Sequence, residues 1–142
     1  MLNDELHFLL MKCFYHNNRM IIQKIQGTGL YPGQPKILEC LTEKDGISPK
    51  EIGTICALDK STITGLLNKM ERQQLIVRRS LSTDKRSVKI YLTDYGRQMG
   101  EQVKEIFRSV DDFASKDLSA EEKTILIGIL KKIISTFERE EK

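Results

Sequence analysis

Between Gly46 and Leu92 the hydrophobic period changes from helical to alternating within one short stretch, and few folds accommodate that change. Ser48-Pro49-Lys50-Glu51 is a helix start: Ser48 caps, Pro49 sits where a missing N–H costs nothing, and Glu51 reaches back to the cap. The short helix that follows carries Ile52, Ile55 and Cys56 at helical spacing, and it gives way near Ala57-Leu58 before Asp59 caps a second helix. In that second helix Ile63, Leu66, Leu67 and Met70 form one apolar stripe, so the opposite face is free. The free face presents Ser61, Thr62, Thr64, Gly65, Asn68, Lys69 and Arg72, with Lys60 at its start. Short polar side chains, cations and a glycine allow close approach to base edges and phosphates.

Beyond Gln74 the period becomes two. Ile76, Arg78 and Ser80 oppose Val77 and Arg79, and Val88, Ile90 and Leu92 alternate with Lys89 and Tyr91, which predicts a β-hairpin. Its polar tip, Leu81 to Arg86, holds Lys85 and Arg86 beside Asp84. A cationic hairpin tip suits a narrow A·T-rich minor groove, where negative potential is concentrated. The expected fold is mainly α with a small β-hairpin wing: a winged helix-turn-helix carrying N- and C-terminal helices.

Charge distribution supports a nucleic-acid partner where total charge does not. The net charge is only +3. From Asp59 to Tyr91, however, eight Lys/Arg face three acids, while the remainder holds 15 cations and 17 acids. Positive charge gathered on one module is the footprint of a DNA-binding surface.

These residues resemble the MarR family of bacterial transcriptional regulators. The resemblance rests on Asp59-Lys60-Ser61-Thr62-Ile63-Thr64, Leu75-Ile76, the wing with Asp84-Lys85-Arg86, and Leu92-Thr93-Asp94-Tyr95-Gly96. Gly33-Gln34-Pro35-Lys36-Ile37-Leu38 is similar to the opening of the family's second helix, so the likeness covers nearly the whole chain. It implies a homodimer on a pseudo-palindromic double-stranded operator, with Arg86 in the minor groove and Asp84 holding it. It also implies repression released by a small aromatic effector or by oxidation, at a junction lined near Cys13, Met20, Tyr31 and Ile37. Cys13, followed by Phe14-Tyr15, is similar in position to the peroxide-sensing cysteine of one redox-responsive branch.

At both ends the pattern is helical. Apolar residues recur from Leu2 to Gln26 as one long amphipathic helix, stopped by Gly27 and Gly29. Pro35 opens a second helix with Ile37, Leu38, Cys40 and Leu41 as its core face; Ile47 is placed to add a short strand beside the wing. Thr93 is placed to cap a long helix on which Met99, Val103, Ile106, Val110 and Phe113 make a heptad seam, and Ser119 to Glu122 is a second capping box opening a terminal helix. Residues 1–32 and 94–142 are thus expected to dimerise, and 33–93 to bind DNA, within one compact domain of 142 residues.

Other classes find less support. Cys13, Cys40 and Cys56 are odd in number and widely spaced, so neither a disulfide framework nor a zinc knuckle is expected; Cys40 and Cys56 read as core residues. His7 and His16 lack a carboxylate cluster at ligand spacing, so no metal or cofactor is expected. None of the common phosphate-loop, dinucleotide, zincin or nucleophile-elbow motifs is present, which argues against an enzyme. The longest apolar run, Ile125 to Leu130, is far short of a membrane span, and a cytoplasmic location is expected. Two alternatives remain open here: a thiol-based redox protein working through Cys13, and a protein-interaction module using its helical ends.

Overall fold

The structure, a computed structural model, describes residues 1–80, 83 and 87–141. The chain forms two compact units, Met1–Arg108 and Ser109–Lys142. The first contains helices α1 (Leu6–Lys24), α2 (Gln34–Glu43), α3 (Pro49–Cys56) and α4 (Lys60–Arg72), strands β1 (Ile76–Ser80) and β2 (Val88–Leu92), and most of α5 (Asp94–Ala114). The second holds the end of α5 and α6 (Ala120–Glu140).

The first helix is shorter than its periodicity suggests. Leu2–Asp4 is a separate 3-10 turn, because Glu5 is extended (φ −93°, ψ 133°) and serves as the N-cap of α1. No residue of α1 is fully buried: Leu6, Leu9, Phe14 and Tyr15 are exposed along most of its length, and Ile21 in its last turn packs against the core. Ile25, just past the helix, is buried in the core.

The module from α2 onward is built as its caps and stripes dictate. Ile37, Leu38, Cys40 and Leu41 of α2 are all buried. Ser48 accepts from the Glu51 N–H (3.1 Å) while Glu51 accepts from the Ser48 N–H (3.3 Å), and Ile52 is enclosed. Ile55, expected to face the core with Ile52, is instead 56% exposed, because an eight-residue helix turned toward α2 and α4 buries only one narrow side. Ala57, in the left-handed region at φ 55°, makes the tight turn, and α4 then buries Ile63, Leu67 and Met70.

The wing pairs in antiparallel register from Ile76↔Leu92 to Ser80↔Val88. Ile47 contributes a single bridge to Ile90 rather than a third strand. Gly46 lies beneath Tyr91, where a Cβ would come within 2.7 Å of the ring, so Tyr91 is a packing residue at the base of the wing.

Thr93 opens α5 by accepting from the Gly96 N–H (2.9 Å). The heptad seam does not act as one strip. Met99 and Val103 join the module's own core, with Ile106 and Phe107 packed against it, whereas Phe113 is exposed. The change of role along one helix reflects its length: about 30 Å of helix outruns the module it covers. In the second unit α6 begins with the expected Ser119/Glu122 capping box and buries none of its residues, Ile125, Leu126, Ile129, Leu130, Ile134 and Phe137 included.

Candidate nucleic-acid interface

The outer face of α4 is assembled at its N-terminus. Asp59 accepts from the Thr62 N–H (2.8 Å) and the Ser61 hydroxyl (3.0 Å), and these donors, the Thr62 amide foremost, hold its carboxyl below the ordinary aspartate value. The Thr64 hydroxyl donates to the Lys60 carbonyl (2.9 Å). Both hydroxyls therefore keep only acceptor lone pairs for a ligand. Lys60, Ser61, Thr62, Thr64, Gly65, Asn68 and Arg72 are all exposed, as the stripe on the other side requires.

Asn68 carries a partner that its helix position does not reveal. Arg78 on β1 donates from Nη2 to Asn68 Oδ1 at 2.7 Å, and its Nε lies 3.8 Å from Glu71. A guanidinium has donors only, so the atom facing it is the carbonyl oxygen, and the Nδ2 amide remains to donate outward. Lys69 is drawn the other way: its ammonium sits 3.4 Å from the centre of the Tyr31 ring, a cation–π contact with the turn before α2. Two wing cations are likewise engaged, Arg79 over the Tyr91 ring and Lys89 with Glu51 (3.8 Å).

A cleft of about 810 Å³ opens between α3, the start of α4 and β2, and Lys50, Thr54, Lys60, Thr64 and Val88 stand on its walls. Lys50 and Thr54 carry no signal in the sequence, since α3 reads there only as a helix with one apolar side. Asp84, Lys85 and Arg86 lie outside the described residues.

The four residues expected near an effector junction are placed differently from one another. Cys13 is exposed on α1, Met20 is partly buried, and Tyr31 is 46% exposed in the turn. Ile37 has no exposed surface, so a ligand reaches it only by displacing core packing. What ties this region to α4 is a pair of glutamines: wholly buried Gln34 donates to Gln73 (2.6 Å) and accepts from the Tyr31 N–H (3.0 Å), and Gln73 donates to the Gly29 carbonyl (3.0 Å). The pair satisfies polar groups that burial would otherwise leave at a cost.

A tight helix-turn-helix with a polar, cation-bearing outer helix face, followed by a two-stranded antiparallel wing, defines a winged helix-turn-helix DNA-binding module. Residues 30–88 match the MarR family model. The transcriptional repressor YetL of Bacillus subtilis is 33% identical over 128 residues, 89% of this chain and 77% of that protein. A regulatory protein for the hcr operon of Thauera aromatica is 30% identical over 106 residues, and there the chain spans only 63% of the relative's length. The Staphylococcus aureus MepR–DNA complex superposes with a TM-score of 0.83 at 25% identity, covering 93% of this chain and 98% of that one. The chain belongs to the MarR family: it is a DNA-binding transcriptional regulator and not an enzyme. Among the described residues no helix is long and apolar enough to cross a membrane.

Proposed function

We propose that the chain is a cytoplasmic homodimeric repressor that places α4 of each copy in successive major grooves of a pseudo-palindromic operator and is released by a small aromatic effector or by oxidation. The observation that carries this reading is the exposed polar face of α4 on a rigid core. Residues 33–93 bind DNA, and the unpartnered apolar surfaces within 1–32 and 94–142 are covered by the second copy. Lys60, Ser61, Thr62, Thr64, Asn68, Lys69 and Arg72 serve the major groove or its phosphates, and Asp84 orients Lys85 and Arg86 toward the minor groove.

The Arg78 contact refines what Asn68 reads. Held by its oxygen, the amide offers Nδ2 to a base acceptor, whereas a free asparagine bonds adenine through both atoms. In selection of bound sites from random duplexes, Asn68→Ala relaxes one base position by about 1–3 kcal/mol. Arg78→Met frees Oδ1 and shifts that position toward adenine, and Arg86→Ala loses affinity most on A·T-rich flanks. Identical base preferences in all three variants contradict the assignments.

Release is read at the junction. Tyr31 and Lys69 together offer an aromatic surface beside a positive charge, the complement of an aromatic acid, and exposed Cys13 is open to oxidant. Salicylate releases DNA from both the native protein and Cys13→Ser, whereas peroxide releases only the native protein. A tenfold loss of affinity requires about 1.4 kcal/mol of coupling. Peroxide release that persists in Cys13→Ser removes that cysteine as the sensor.

A further inference from the structure

Cys40 and Cys56 are distant in sequence and touch in the fold. Cys56, the last residue of α3, donates from Sγ to the Lys36 carbonyl at 3.5 Å, one helical turn before Cys40 on α2, which sets the two thiols side by side on one wall. They share the wall of a depression of about 430 Å³ with Glu43, Lys44 and exposed Ile55. Cys40 is 7% exposed and Cys56 partly so. No contact proposed for DNA lies on this face.

Burial raises the Cys40 thiol, and burial with the neighbouring Cys40 pushes Cys56 up to about 12, so both stand as neutral S–H at neutral pH. Attack on peroxide proceeds through the thiolate, which this environment suppresses. A monovalent cation held between two thiolates leaves a net charge in a desolvated place, which is also disfavoured, and a divalent one needs further ligands. Among the described residues no group of three His, Cys, Asp or Glu is arranged to complete a metal shell. The chemistry that remains favoured converts two neutral thiols into a neutral bridged product.

We propose that Cys40 and Cys56 form a dithiol site for a monosubstituted trivalent arsenical, R–As(OH)2. Each thiol displaces one hydroxyl: two S–H and two As–O bonds break, two As–S bonds form, and two waters carry away the protons. Arsenic stays trivalent, and no electrons are exchanged with an outside partner. The product staples α2 to the end of α3, at the turn that leads into α4.

The test is intact-mass measurement of the reduced chain after phenylarsine oxide, in the presence of excess glutathione, which strips singly attached arsenic. The native protein and Cys13→Ser each retain one phenylarsenic per chain. Cys40→Ser and Cys56→Ser retain it about 100-fold more weakly, the loss expected when the second attachment becomes intermolecular. Thermal unfolding verifies that each variant is folded, and Cys40→Ala replaces Cys40→Ser if a buried hydroxyl prevents folding. Retention in a folded Cys40 or Cys56 variant, dependence on Cys13, one arsenic per two chains, or no retention by the native protein overturns the site. The measurement needs no DNA, so its failure leaves the DNA-binding reading intact.

Discussion

Gly96→Ala unfolds roughly 10 °C below the native protein, a loss of about 3 kcal/mol or more. A Cβ at this position falls inside the Leu75 carbonyl oxygen, and it also presses on Leu92. The carbonyl cannot step aside, because it accepts from the Thr93 N–H (3.1 Å) and is approached by the Thr93 hydroxyl (3.2 Å), the residue that opens α5. The methyl therefore separates α5 from the end of α4 or breaks the cap. Gly65→Ala is the contrasting case. Nothing lies within 4 Å of a Cβ there, so helix propensity raises stability slightly while the added methyl on the DNA face lowers affinity. Thermal melts of both variants check the pair, and an unchanged midpoint for Gly96→Ala contradicts the packing described.

Leu126→Glu combined with Ile129→Glu is expected to abolish the proposed dimer at micromolar concentration, raising its dissociation constant about 10³-fold, or about 4 kcal/mol. Both side chains are exposed on α6, which buries nothing within the described chain. Contiguous apolar surface of this kind on a single chain marks an interface. The double substitution places four carboxylates in each apolar interface, where an unpaired polar group is costly to desolvate. Sedimentation velocity reports the mass, and circular dichroism shows that helix content is kept. Affinity for the operator falls with the dimer, because each copy then binds one half-site alone. A variant that sediments as the native protein does rules α6 out of the interface.

Local features were the legible ones. Ser48/Glu51, Asp59, Thr93 and Ser119 cap the helices they were expected to cap, because capping depends on residues three apart. The two strands of the wing followed from alternation, and the α4 face from a single stripe. Contacts set by tertiary placement were not legible. Arg78 meets Asn68 only because β1 returns beside α4, and Gln34 meets Gln73 across 39 residues. Cys40 and Cys56 form no spaced motif, and only the packing of α3 on α2 joins them. Periodicity also gives no destination for an apolar face: it marked α1 and the α5 seam as amphipathic, yet most of α1 stays exposed while the first half of the seam is consumed by the core.

The α4 and wing surface as a DNA interface is tested most directly by the salt dependence of affinity for a selected operator. Of the eight cations between Asp59 and Tyr91, Lys69, Arg78, Arg79 and Lys89 contact protein groups, which leaves Lys60 and Arg72 for phosphates and Lys85 and Arg86 for the minor groove between them, four cations per copy set against backbone charge. Eight phosphates neutralised by a dimer give a slope of log K against log salt near −7. Fluorescence anisotropy across a range of salt concentrations, with stoichiometry measured in the same titrations, is expected to return that slope with two chains per duplex. A slope near zero, or one chain per duplex, contradicts it.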